Sequence, residues 1–336
     1  MRNLSGAKIL VVQTAFIGDA ILASAFLESL YHAHPDAELH ILLRKGNEGI
    51  FDQHPYLKRV WIWEKNRRKN RHLFQLVKEV REAKFDFVFC LQRFFSAGLL
   101  TAFSGAKTRV AFDKNPWAFA MDKSFPHLFY PKVKNLHEIE RNHELLKDWK
   151  IPLKNPKLYP AEKHQNKVEK LLPSKPFVTI APASVWFTKQ FPKEKWVQLM
   201  KQLSDYAVFL VGGKNDFEHA AAIQNAAQHP HVANLCGQLN LLDTAELMKK
   251  AHMNYVNDSA PLHLASAVNA KVTAVFCSTL PEFGFTPLSE KASVVETKQK
   301  LSCRPCGMHG HSKCPEGHFK CAQEIETSAI LASLEK

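Results

Sequence analysis

The chain has 336 residues, of which 46% are hydrophobic and 23% charged, an ordinary mix for a protein that buries a core, and one that excludes disordered and fibrous classes. Lys and Arg number 45 against 32 Asp and Glu, a net charge of +13 that favours anionic partners such as nucleic acid, lipid headgroups or phosphorylated substrates, or simply a solvated basic surface. No stretch approaches the roughly 20 apolar residues of a membrane-spanning helix, and the apolar run Ile9–Val12 is shorter than the about 7–15 residues of a signal-peptide core, so a cytoplasmic protein is expected.

In chain order, Lys8–Val12 reads as a strand and about Asp19–His32 as a helix. Glu38–Leu43 and Val60–Trp63 are strands, and about Arg71–Ala83 is a charged helix. Phe85–Cys90 has the near-continuous apolar character of a buried parallel strand. Thr108–Ala111 is a weaker strand, and His137–Trp149 a helix. Lys150–Lys175 carries Pro152, Pro156, Pro160 and Pro173 with many lysines, and reads as a linker holding one short helix, His164–Leu172. A second series follows: strand Phe177–Ala181, helix Lys193–Leu203, strand Ala207–Val211 and helix Asp216–Ala227. Helix Thr244–Ala251, strand Met253–Val256, helix Pro261–Val268, strand Val272–Phe276 and helix Ile325–Leu334 complete it. Strands alternating with helices on either side of a linker indicate an α/β protein with two Rossmann-like domains facing a cleft. The expected divisions are 1–160, 174–320 and a terminal helix over 321–336.

In open parallel sheets ligands bind beyond the carboxyl ends of the strands, so the strand-to-helix turns are the places to search. The first turn, Gln13–Ala20, lacks the G-x-G-x-x-G dinucleotide signature and the P-loop lysine. It places Asp19 at a helix start, either as a complement to the helix dipole or as a general base. The turn Pro182–Pro192 offers Ser184, Thr188 and Lys189. The lysine is either solvated or aimed at a phosphate. Gly212 and Gly213 follow a strand and permit close backbone approach to a ligand, while Asp216 either caps the next helix or binds ribose hydroxyls. In Val256–Ala265 a strand ends in a small polar turn before Pro261, a favoured first-turn residue. Backbone amides there suit a diphosphate. Asp258 can hold sugar hydroxyls or cap the helix, and His263 is a ligand contact or a core histidine.

Taken in order, Gly18-Asp19, Lys189-Gln190-Phe191-Pro192, Gly212-Gly213 and Asp258-Ser259-Ala260-Pro261-Leu262-His263 resemble the motifs of glycosyltransferase family 9, the heptosyltransferases of lipopolysaccharide inner-core synthesis. His137-Glu138-Ile139-Glu140-Arg141 resembles the family's H-x-x-[ED]-R. The resemblance spans about Lys8 to Cys321 and implies a GT-B fold. It also implies metal-independent, inverting transfer of heptose from ADP-heptose to the lipid A–core acceptor. On this basis Asp19 matches the catalytic base, and Lys189 the residue that holds the diphosphate and stabilises the departing charge. Ser184, Thr188, Gly212, Gly213, Asp216, Asp258, Ser259, Ala260 and His263 fall in the donor half. Ala260 stands where the family usually has Gly, which leaves open a family 9 enzyme with another donor sugar or acceptor. A non-catalytic nucleotide-binding protein is the alternative from another class, and nucleic acid is not an expected partner because no recognition motif for it is present.

Cys303, Cys306, Cys314 and Cys321, near Gly317-His318, look most like the heptosyltransferase II branch. In a reducing compartment four such thiols either form a tetrahedral structural zinc site or stay unligated. The basic run Lys65–Arg71 includes Arg67 and Arg68, which are expected either to engage an anionic acceptor or the inner leaflet of the inner membrane, or to be solvated.

Overall fold

The computed structural model describes residues 3–65 and 69–334. The chain forms two compact units, Met1–Tyr159 and Pro160–Lys336. Both hold a six-stranded, wholly parallel sheet among the described residues.

In the first unit the strands are β1 Lys8–Gln13, β2 Glu38–Arg44, β3 Leu57–Trp63, β4 Phe87–Cys90, β5 Thr108–Phe112 and β6 Lys123–Phe125, in the order β3-β2-β1-β4-β5-β6. The central strands are buried almost end to end because helices cover both faces. Helix α1, Ile17–Ala33, is buried from Ala20 to Leu30. Within it the buried Glu28 accepts hydrogen bonds from Tyr56 and, at 2.9 Å, from Tyr159. Helices α2, Lys69–Glu82, and α3, Phe95–Ala102, follow β3 and β4. At α3 a close fit replaces side-chain bulk: a methyl group on Gly98 would fall 1.9 Å from Asn115 Oδ1.

The motif His137–Arg141 has a structural explanation. His137 and Glu140 form a capping box at the start of α4, Glu138–His143, with the His137 amide 2.6 Å from Glu140 Oε2. Buried Arg141 pairs with Glu138 at 2.8 Å, and burial pushes the Glu138 carboxyl above its usual range.

The second unit carries α5 Glu162–Glu169, β7 Phe177–Ala181, α6 Lys193–Lys201, β8 Ala207–Leu210, α7 Phe217–Ala227 and β9 Val232–Asn234. Then come α8 Leu241–Lys250, β10 Met253–Asn257, α9 Ala260–Ala267, β11 Val272–Phe276 and β12 Ala292–Glu296. The order β12-β11-β10-β7-β8-β9 repeats the first unit's topology, with β7 and β10 in the places of β1 and β4. Its core joins Trp196, Leu199, Ile180, Val208 and Tyr255.

Three expectations change. The stretch read as a linker is divided: Lys154 and Lys157 donate their amides to Ser29 and Ser24 of α1, while α5 belongs to the second unit. His164 and Lys167 of α5 both lie 2.6 Å from the buried Asp243 carboxylate, which fixes that helix on α8. The terminal helix is two short ones, α10 Lys320–Gln323 and α11 Thr327–Leu331, whose Ala322, Ile325 and Ile330 enter the second core. Strands β6, β9 and β12, edge strands of three to five residues, carry too few apolar residues for sequence periodicity to reveal.

His54 lies among the rings of Phe51, Tyr56 and Tyr159, and neither ring nitrogen has a hydrogen-bond partner. Burial pulls its pKa from 6.5 down to about 4. The folded state therefore keeps His54 neutral, and its contribution to stability is present above pH 6.5 and lost as pH falls towards 4. Thermal melts between pH 7 and pH 4.5 are expected to show a fall in Tm that is shallower in His54→Phe by at least about 2 °C. An equal fall in both proteins would contradict this.

Candidate active site

In a doubly wound sheet the ligand crevice opens where the strand order reverses, between β1 and β4 in the first unit and between β7 and β10 in the second. Asp19 follows β1, Lys189 follows β7 and Asp258 follows β10. Each candidate therefore stands at the carboxyl edge of its own sheet, beside the reversal.

In the first unit the N-cap of α1 is Phe16, which makes no side-chain capping bond, and Asp19 lies partly exposed in the first helical turn. A helix N-terminus is where a negative charge complements the helix dipole. The turn is fixed from beneath by residues that sequence motifs did not reveal. The Thr14 hydroxyl donates to Gln92 Oε1 at 2.7 Å, and Gln92 O in turn accepts from Asn115 Nδ2 at 2.8 Å. Asn47 Nδ2 donates to Ala15 O at 3.1 Å. Lys65 Nζ donates to Thr14 O at 2.6 Å and lies over the Trp63 ring. Burial, with the nearby charges of Arg44 and Lys69, brings the Lys65 pKa down to about 8. Of the basic run, Lys65 is thus committed to the turn, whereas Arg67 and Arg68 lie outside the described residues.

In the second unit the loop after β7 is stitched to the end of β10 by buried Asn257. Its Nδ2 donates to Pro182 O at 2.9 Å, and its Oδ1 accepts from the Phe191 amide at 2.9 Å. Phe191 of the K-x-[WF]-P motif is fully buried, edge to face with Trp196, so this aromatic anchors the loop in the core. Gln190 Nε2 donates to Ser184 O at 2.7 Å. These bonds bring Lys189 Nζ to 2.7 Å from Asp258 Oδ2, with the side chains 16% and 8% exposed. The same carboxylate oxygen accepts from the Thr279 hydroxyl at 2.6 Å.

The other candidates divide by what holds them. Thr188 is fully buried and its hydroxyl is engaged by Ser278 and by the His311 amide. Asp216 Oδ2 accepts from the Gly213 amide at 2.7 Å and closes the turn after β8. A methyl group on Gly212 would come within 2.9 Å of that oxygen, which explains the glycine. Ser259 is the N-cap of α9, and Ala260, not Pro261, is its first residue. A helical position suits alanine fully, so the departure from glycine carries no backbone cost here. His263 is buried within α9, with its ring 6.3 Å from that of Phe285.

Cys303, Cys306, Cys314 and Cys321 are all free thiols around one cavity of about 210 Å³, which His311 and His318 also line. Cys303 Sγ is 3.9 Å from His318 Nε2. Burial pushes the Cys321 thiol up to about 12, with its neighbouring cysteines adding to the shift, so thiolate forms here only with a compensating cation. Among the described residues no set of three or more His, Cys, Asp or Glu side chains is already gathered as metal ligands.

Two doubly wound parallel units in one chain are the architecture of the GT-B class. The family model of glycosyltransferase family 9 (heptosyltransferase) matches residues 73–315, and the chain belongs to this family. It is 25% identical over 330 residues to lipooligosaccharide heptosyltransferase 2 of Campylobacter jejuni, with 96% of each chain covered. It is 24% identical to lipopolysaccharide heptosyltransferase 2 of Escherichia coli, covering 86% of this chain and 87% of that one. The solved structure of ADP-heptose lps heptosyltransferase II from E. coli superimposes with a TM-score of 0.79 at 21% identity, covering 98% of this chain and 97% of the other. No helix among the described residues is long and apolar enough to cross a membrane.

Removing one member of a largely buried ion pair leaves the other charge uncompensated. Asp258→Ala is expected to lower stability in urea melts by about 1–3 kcal/mol. Adding Lys189→Met should restore part of the loss, and a double variant that loses the full sum would show that the pair is not coupled.

Proposed function

We propose that this glycosyltransferase moves heptose from ADP-heptose to the inner core of lipopolysaccharide at the cytoplasmic face of the inner membrane. The observation that carries the reading is the Lys189–Asp258 pair at the strand reversal of a family 9 chain. Curated relatives named as heptosyltransferases support the sugar, and the net charge of +13 suits an anionic donor, acceptor and membrane surface.

In this reading the donor diphosphate takes Lys189 from Asp258, which turns to the sugar hydroxyls. The amides of Ser259 and Ala260 at the start of α9 hold phosphate oxygens. Ser184, Gly212, Gly213 and Asp216 line the nucleotide, while Thr188 and His263 support the site from within. Asp19 accepts the proton of an acceptor hydroxyl as its oxygen bonds to the anomeric carbon. The bond from that carbon to the diphosphate breaks on the opposite face, so configuration inverts, and Lys189 balances the charge on the departing ADP. Arg67 and Arg68 attract the anionic acceptor. Catalysis requires no metal.

The test is transfer of labelled heptose from ADP-heptose to heptose-deficient lipopolysaccharide. The native protein should transfer, and Asp19→Ala should lose about 100-fold or more in turnover while still binding donor, as loss of a general base does. Turnover near normal would remove Asp19 from the mechanism, and no transfer by the native protein would reject the reaction.

The four thiols around the cavity are soft donors suited to zinc, and we assign them a structural zinc. Elemental analysis of untagged protein should find about one zinc per chain, lost in Cys306→Ser. Protein without metal at any stoichiometry would refute the assignment.

A further inference from the structure

We propose that Thr188 is a positioning residue for the donor lysine, and that the cysteine-rich segment Cys303–Cys321 supplies its position. The inference rests on the assignment of Lys189 to the donor diphosphate.

Thr188 immediately precedes Lys189 in the 3-10 turn Phe187–Lys189. It is fully buried, and three hydrogen bonds hold it. Its hydroxyl accepts from Ser278 Oγ at 3.0 Å and from the His311 amide at 2.8 Å. Its own amide donates to His311 O at 3.1 Å. Thr188 and His311 are therefore paired in both directions, 123 residues apart in sequence. Gly310 has φ +79°, and a methyl group there would stand 2.8 Å from Thr188 Oγ1 and 3.1 Å from Lys189 Cγ. The segment thus packs directly on the stem of the lysine, in a backbone conformation that glycine adopts readily.

The same segment reaches the other member of the ion pair. Arg304 donates to Cys277 O and Thr279 O, both at 2.8 Å, and to Glu296 at 2.5 Å. The Cys306 amide donates to Ser278 O at 3.0 Å. Thr279, held in this way, donates to Asp258. Lys189 is fixed through Thr188, and Asp258 through Thr279, by one stretch of chain. A lysine carries a large rotamer entropy, and fixing its stem before the donor arrives removes part of the cost of binding. His311 also lines the cysteine cavity, so the latch and the thiols share a wall.

Isothermal titration with ADP tests this, with melts confirming that each variant is folded. Thr188→Val keeps the bulk and removes the hydroxyl, and is expected to weaken ADP binding about 10-fold, whereas Thr188→Ser stays within about 2-fold. Gly310→Ala, which leaves Thr188 intact, should weaken binding likewise. In a Lys189→Ala background Thr188→Val should add no further loss, because its effect passes through the lysine. Unchanged affinity in Thr188→Val and Gly310→Ala, or an equal loss with and without Lys189, would overturn the latch. Absence of ADP binding by the native protein would instead overturn the diphosphate assignment, and the latch with it.

Discussion

Lys189 and Asp258 meet at 2.7 Å on the edge of the second sheet where the strand order reverses. That pair is the constraint on which the geometry of the second unit's candidate site depends. Two charges so little exposed lose much of their hydration, and close geometry with additional hydrogen bonds must offset it. Thr279 supplies one such bond to the carboxylate. Around the pair, Asn257, Phe191 and Arg304 fix the loops, and none of these side chains needs to touch a ligand to matter. In the proposed function an anionic diphosphate replaces the carboxylate on the lysine, leaving the acid to find hydroxyl donors.

The first unit follows the same logic with different groups. A parallel strand ends, a short turn follows, and a helix begins with an acid in its first turn. The turn's carbonyls are held by Asn47 and Lys65, and its threonine by Gln92. Asp19 thus rises from a turn whose backbone is already fixed, the condition under which a single carboxylate can be aimed. Lys65, half-buried, donates to that turn, and burial with neighbouring cations lowers its pKa to about 8.

Much of this was legible in sequence because buried parallel strands write themselves as apolar runs. The apolar runs that begin at Ile9, Phe177 and Val272 fall within strands β1, β7 and β11. The edge strands were not legible, since Lys123–Phe125 and Ala292–Glu296 are short or half polar. The motif residues were visible as types at spacings, but their partners were not. Nothing local marks Asn257 as the tie between two loops, or His311 as the neighbour of Thr188, because those contacts join residues 66 to 123 positions apart. For the same reason the partners of the Thr188 hydroxyl, Ser278 and the His311 amide, cannot be read from sequence.

The most direct measurement is a crystal structure of the protein with ADP-heptose bound. The account expects a diphosphate oxygen within about 3 Å of Lys189 Nζ and the Asp258 carboxylate released to the sugar hydroxyls. A diphosphate bound away from Lys189, with the lysine still paired to Asp258, would contradict it.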